Sequence, residues 1–250
     1  MNALLLAVQM LTCIPVAPRR FDAASMRAAP IYLPLVGVAL GAVLAAAHAV
    51  MMLLLPAPLS AALVVVVSIK LTGGLHQDAL ADWGDGLGSG RRGAEMLSIM
   101  RDPHVGALGT TAVLTDLLIR VACVLSLPAS WVGPSLIGSS SFGRAAMLLA
   151  LLLPPARDAG LGHACAQTHG WRVALSATFG AVAVPAATLG LAAAAAISLG
   201  AISLSWTLRS AAVRLGGMNG DVCGAAGTLA ETAFLIGAVA AVANASGISP

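Results

Sequence analysis

Residues 173–208 read VALSATFGAVAVPAATLGLAAAAAISLGAISLSWTL, 36 positions without one charged side chain. A helix that crosses a bilayer needs about 20 such residues. The run is too long for one span and long enough for two short ones, with the natural break near Gly190. Working outward, further apolar runs occupy about 31–55, 57–74, 107–127, 134–153 and 225–244. The expectation is an all-α, polytopic transmembrane helical bundle of about seven spans, six being the alternative. Residues 1–250 carry no evident internal repeat or linker and are read as a single integral membrane domain.

Composition agrees. The chain is 59% apolar and only 9% charged, where a soluble domain carries about 25% charged residues. So few charges cannot cover a surface that faces water, so the expected partner is the lipid bilayer. Aromatic residues are 4% of the chain, and the small residues that replace them suit close helix packing in lipid. A net charge of +3 gives no reason to expect nucleic acid. Cys13, Cys123, Cys165 and Cys223 are scattered without a C-x-x-C pair and read as small apolar residues. The opening MNALLLAVQMLTCIP lacks a basic leader and a cleavage site, so it reads as an interfacial or buried helix rather than a signal peptide. His48, His163, His169 and Trp171 carry no usable signal.

The arginines orient the bundle. Arg19, Arg20 and Arg27 precede the first run, and Arg91, Arg92 and Arg101 follow the second. Arg157 and Arg172 follow the fourth, and Arg209 and Arg214 precede the last. The alternate connections carry no Lys or Arg. By the positive-inside rule the N-terminus and every basic loop face the cytoplasm.

Half of the ten acidic residues fall between positions 78 and 102, within GGLHQDALADWGDGLGSGRRGAEMLSIMRDPHVG, residues 73–106. Asp78, Asp82 and Asp85 are spaced four and three apart, which on a helix sets three carboxylates on one face. Their mutual repulsion favours a compensating cation, and hard oxygen donors favour Mg²⁺, Mn²⁺ or Ca²⁺. Mg²⁺ completes its shell with water and substrate phosphates, which links this spacing to phosphoryl transfer. The competing reading is a solvated loop whose acids balance Arg91, Arg92 and Arg101. The glycines in the stretch, Gly74 among them, let backbone approach a ligand.

A second polar patch, RLGGMNGDVCGA, spans residues 214–225. Its glycines, Gly217 and Gly220 included, either present N–H groups to phosphate or form an ordinary turn. Asp221 is a candidate further metal ligand, and Glu231, inside the last run, is a functional candidate because ionisable residues in lipid usually are. His76 and His104 are candidate bases or phosphate contacts, although lone histidines are more often structural. Asp116 and Arg120, four apart, are expected to pair. Arg144 either meets a phosphate or pairs with an acid on another helix.

These residues resemble the cobalamin synthase family of adenosylcobinamide-GDP ribazoletransferases. The family pattern GGLHxDGLADxxDG is matched by GGLHQDALADWGDG, and a later K/R-D-x-x-x-G element by Arg101, Asp102 and Gly106. GGxTGDxxGA is matched by residues 216–225, and the opening LLLAVQMLTCIPV and residues 142–162 also resemble the family. Ala79 stands where Gly is frequent, Asn219 where Thr is usual and Cys13 where Arg is usual. The resemblance implies that adenosylcobinamide-GDP is joined to α-ribazole, or its 5′-phosphate, with release of GMP, in the bacterial cytoplasmic (inner) membrane and with Mg²⁺ as cofactor. It implies Asp78, Asp82, Asp85 and Asp221 as metal ligands and His76 or Asp82 as the catalytic base. Gly74, Arg91, Arg101, Asp102, His104, Arg144, Gly217, Asn219, Gly220 and Glu231 would then bind substrate. A CDP-alcohol phosphatidyltransferase-type enzyme is the nearest alternative, but its Ala-Arg step and later D-x-x-x-D are missing. A transporter would place its acids deep in the spans and often carries a repeat. Whether copies of the chain associate as a homo-oligomer is left open.

Overall fold

A computed structural model of the chain describes residues 2–16, 23–156 and 170–245. Arg19, Arg20, Arg157, His163, Cys165 and His169 lie outside the described residues. What is described is helical, with one isolated backbone bridge between Pro155 and Met218. The helices are α1 (Asn2–Leu11), α2 (Ala23–Ala28), α3 (Leu33–Met52), α4 (Ala57–Thr72), α5 (Leu75–Gly88) and α6 (Gly93–Ile99). They continue with α7 (Ala107–Ser126), α8 (Ala129–Ala150), α9 (Trp171–Thr178), α10 (Val184–Leu189), α11 (Ala193–Leu215) and α12 (Gly220–Ala245).

The all-α membrane architecture expected from composition is present, but fewer stretches qualify for crossing by length and hydropathy than the seven spans read from the six apolar runs. Four stretches are long and apolar enough: Ala23–Met52, Ala107–Ser126, Trp171–Leu215 and Gly220–Asn244. The bent pair α4 and α5 raises this to five if it counts as one span. Two physical reasons account for the difference. Helix α4 has only 16 residues before the chain turns, and α8, though 22 residues long, carries Ser135, Ser139, Ser140, Ser141 and Arg144 buried in the bundle. A helix surrounded by other helices needs no apolar coat. The stretch 171–215 is interrupted by a π-helical turn at Phe179–Ala183 and breaks at Gly190, whose φ is +57°. At 1.5 Å per residue an unbroken helix of that length would be about twice as long as the hydrocarbon core is thick.

Helix α8 is the hub, packing along α3, α10 and α12, and α12 packs in turn along α11 and against α5. Small residues permit the closest crossing. A Cβ at Gly37 would sit 2.4 Å from the Ser140 carbonyl oxygen, and one at Gly41 would sit 2.5 Å from the Ile137 Cα. Such Gly-x-x-x-Gly contacts bring backbones together where lipid offers no hydrophobic drive for association. His48 on α3 is hydrogen-bonded to Ser60 on α4 at 2.9 Å.

Candidate active site

The acidic stretch is a helix rather than a loop. Gly73 and Gly74 both adopt left-handed conformations, with φ of +65° and +73°, which side chains with a Cβ rarely adopt. Together they turn the chain by 92° between α4 and α5. Helix α5, 14 residues with acids in its middle, therefore leaves the direction of α4 and is too short to cross a bilayer by itself. Its apolar face (Ala79, Leu80, Trp83) is buried against the bundle, while Asp78 is exposed and Asp82 and Asp85 are half-buried.

Helix α12 brings the second motif to the same place. Asn219 precedes its first turn and its Oδ1 accepts a hydrogen bond from the Val222 N–H at 2.8 Å, an N-terminal cap. The Asn219 amide also donates to Asp221 Oδ2 at 3.0 Å. Asp221 sits in the first helical turn, where the helix dipole favours an anion. Gly216 (φ +75°) and Gly217 form the preceding turn, pressed onto residues 154–156 so tightly that a Cβ at Gly217 would lie 2.3 Å from the Pro154 carbonyl oxygen. Gly220 has open space around it. A Cβ at Gly224 would lie 2.5 Å from the Ala79 Cβ, so α12 and α5 meet there without slack.

Asp78, Asp82 and Asp221 thus gather at one end of the bundle. Partial burial, and after it the charges of Asp221, Asp78 and Asp85, push the Asp82 carboxyl up to about 6. Among the described residues no three side chains of metal-binding type converge on one point. The donors are hard carboxylate oxygens with excess negative charge, which suits an ion that takes only one or two carboxylates and fills its shell with water and phosphate oxygens.

Asp85 is differently engaged. Its Oδ2 accepts from the Gly106 N–H at 2.7 Å and its Oδ1 from the Gly109 N–H at 2.8 Å, across the start of α7. It clamps the start of α7, which directly follows the segment containing Arg101, Asp102 and His104, against α5. Arg101 and His104 are exposed, and His104 Nδ1 lies 2.8 Å from Asp102 Oδ1. Arg91 forms an exposed pair with Glu95 at 3.2 Å, and Arg214 donates to the Leu87 carbonyl at 3.3 Å.

Arg144 and Glu231 lie deeper. Arg144 meets Glu231 at 2.8 Å, Arg120 meets Asp116 at 2.8 Å, and Arg120 also approaches Glu231 at 3.5 Å. Ser140 donates to Glu231 and Thr232 to Asp116. Two acids and two guanidiniums from α7, α8 and α12 therefore form one neutral buried cluster. The expected Asp116–Arg120 pair is present, and Arg144 has found its acid on another helix. His76 joins the two regions. It is buried, its Nε2 has no hydrogen-bond partner, and it lines both a small cavity with Arg120, Arg144 and Glu231 and a larger one with Asp78 and Asp221. Sequence reasoning missed the apolar walls of that larger cavity, Met10, Leu11, Leu33, Met147 and Leu151. The only hint was the apolar opening segment read as a buried helix.

A profile of the family described as cobalamin-5-phosphate synthase matches residues 3–239. The chain belongs to this family. It is 38% identical over 216 residues to an adenosylcobinamide-GDP ribazoletransferase of Azorhizobium caulinodans, covering 82% of this chain and 81% of the relative. It is 36% identical over 238 residues to the enzyme of that name from Desulforamulus reducens, covering 92% and 93%. With the Brevibacillus brevis enzyme of that name it is 34% identical over 239 residues, covering 94% and 97%. No solved structure matches the chain. Membership in this family sets aside the phosphatidyltransferase and transporter alternatives.

Proposed function

We propose that this chain joins adenosylcobinamide-GDP to α-ribazole or its 5′-phosphate, releasing GMP and closing the nucleotide loop of the cobamide. The observation that carries the reading is the meeting of two motifs about 140 residues apart. Asp78 and Asp82 on α5 and Asp221 on α12 come together beside buried His76, in a chain matched to the family over nearly its whole length.

The ribazole hydroxyl oxygen attacks the phosphorus carried by the cobinamide arm. The bond from that phosphorus to the oxygen bridging to GMP breaks, and GMP leaves with the bridging oxygen. The hydroxyl proton passes to a carboxylate of the cluster such as Asp82, whose carboxyl is raised to about 6, rather than to His76, which burial and the nearby Arg144 push down to about 3. Mg²⁺, bound through one or two of the carboxylates of Asp78, Asp82 and Asp221, would neutralise the diphosphate charge, the main chemical demand of such a transfer. Asp85 tethers α7 to α5, and Asn219 holds Asp221 in place. Exposed Arg91 and Arg101 sit on the segments after α5 and would meet the GDP phosphates. The basic segments orient this end toward the cytoplasm, with the bundle in the bacterial inner membrane.

Membranes containing the protein, given adenosylcobinamide-GDP, α-ribazole and Mg²⁺, should release GMP only when all three are present. Asp82→Ala should insert normally and release none at saturating Mg²⁺. Full activity of that variant would overturn the metal assignment, and absence of GMP release by the unaltered protein would overturn the function.

A further inference from the structure

A cavity of about 270 Å³ lies beside the acidic cluster. Its walls are Met10 and Leu11 from α1, Leu33 from α3, Met147 from α8 and Leu151 directly after α8. Its polar groups, His76, Asp78 and Asp221, come from α5 and α12. The cavity is thus an apolar chamber with a hydrogen-bonding, negatively charged edge, the form of a site that holds a flat apolar body and fixes one polar end of it.

The lining decides between the chemical parts of the two substrates. None of its described residues is Lys or Arg, so phosphate charge is accommodated only at the edge where Asp78 and Asp221 would hold Mg²⁺, and the apolar walls are left for an uncharged body. A corrinoid ring is far larger than the chamber. A neutral bicyclic aromatic base matches both its size and its lining. A wider groove of about 670 Å³ shares Leu75 and Asp78 with the chamber but is otherwise lined by Gly73, Gly74, Gln77, Thr110 and neighbours on α7. Asp78 therefore borders two spaces of different character, as a transfer between two unlike substrates requires.

We propose that the chamber lined by α1, α3, α5, α8 and α12 is the acceptor subsite. It takes the aromatic base of α-ribazole, with the ribose directed to His76, Asp78 and Asp221. The proposal rests on the transferase reading above and adds where one substrate sits and what selects it. Base preference is then set by apolar side chains of α1 and α8, remote in sequence from either acidic motif.

Two measurements test it. Met10→Trp narrows the chamber from the α1 side without touching an acidic residue. It should raise the KM for α-ribazole at least tenfold and leave the KM for adenosylcobinamide-GDP within twofold. An equal rise in both, or a rise for the nucleotide substrate alone, overturns the proposal. Cys223 also lines the chamber, so α-ribazole alone should slow its alkylation by N-ethylmaleimide severalfold, read by peptide mass spectrometry on the otherwise unaltered protein, and GDP should not. Protection by GDP and not by α-ribazole overturns the proposal. Should Met10→Trp fail to fold, the Cys223 measurement decides. Should the unaltered protein release no GMP, the transferase reading fails, while protection of Cys223 by α-ribazole would still support the subsite.

Discussion

Asp85 separates two explanations of the spacing of Asp78, Asp82 and Asp85: one that places it on a metal and one that makes it a clamp. Its two oxygens accept the Gly106 and Gly109 amides at 2.7 and 2.8 Å. Hydrogen bonds to a charged partner contribute about 1.5–3 kcal/mol each, and partial exposure places these at the lower end. Asp85→Ala should therefore cost about 3 kcal/mol, since it also strands two donors at the start of α7. Asp85→Asn keeps one acceptor oxygen and should cost about half that. At roughly 2–4 °C per kcal/mol for a chain of this size, the melting temperature in detergent should fall by about 6–12 °C for Ala and about 3–6 °C for Asn. The clamp also predicts that the Mg²⁺ concentration giving half-maximal GMP release stays within about threefold for Asn, where loss of a metal ligand typically costs far more affinity. An Asp85→Asn protein that melts with the unaltered one yet needs tenfold more Mg²⁺ would refute the clamp.

Asp82 should show the opposite sign of stability. Its carboxyl is raised from its ordinary 3.8 to about 6, so the folded state disfavours the charged form. The resulting penalty is absent below about pH 3.8 and complete above about pH 6. Asp82→Ala should thus raise the melting temperature of the metal-free protein at pH 7.5 and leave it unchanged near pH 4, and Mg²⁺ binding to the unaltered protein should release protons near pH 6, read by calorimetry in buffers of different ionisation heat. Glu231→Gln leaves Arg144 and Arg120 facing one remaining acid and should lower stability by about 3–5 kcal/mol in a detergent melt, with Arg144→Gln added to it recovering part of the loss. Gly224→Ala places a methyl 2.5 Å from the Ala79 Cβ, forcing α12 from α5; a displacement of about 1 Å at a transfer site can lower kcat about 100-fold, and adding Ala79→Gly should restore most of it.

The helical membrane architecture was legible because 36 uncharged residues admit few other structures. The break at Gly190 was legible for the same reason, since bilayer thickness limits an unbroken helix. The expected seven spans stand beside four stretches that qualify by length and hydropathy alone, or five with the bent pair. Hydropathy treats each residue alike, whereas Ser135, Ser139 and Arg144 on α8 face other helices and escape the cost of lipid. Within the acidic motif, spacing put three carboxylates on one face but could not show that Asp85 turns to α7, because the Gly106 and Gly109 amides lie more than twenty residues away. Asp221 was legible as an acid beside glycines. That Asn219 caps α12 and holds Asp221 depended on where that helix begins. The chamber walls were invisible because Met10, Leu33 and Met147 look like any other apolar residues until the fold turns them toward one space.

The buried charges now have a physical role that neither motif assigns them. Asp116 lies nine residues into α7 and Glu231 eleven residues into α12, or about 14 and 16 Å along their helices. Through Arg120 and Arg144 they tie α7, α8 and α12 together at nearly one depth. Helices in lipid slide and rotate against one another at little hydrophobic cost, because every apolar face is equally content. An ion-pair cluster does not tolerate such sliding, since a shift of one turn would leave charges unpaired in a medium that solvates them poorly. The cluster therefore fixes the heights of the α7 and α12 N-termini relative to each other. Those are the ends that α5 spans, its Asp85 reaching one and Asp78 and Asp82 facing Asp221 on the other. Polar residues buried well below the site thus set the geometry of carboxylates that would otherwise ride on independently sliding helices.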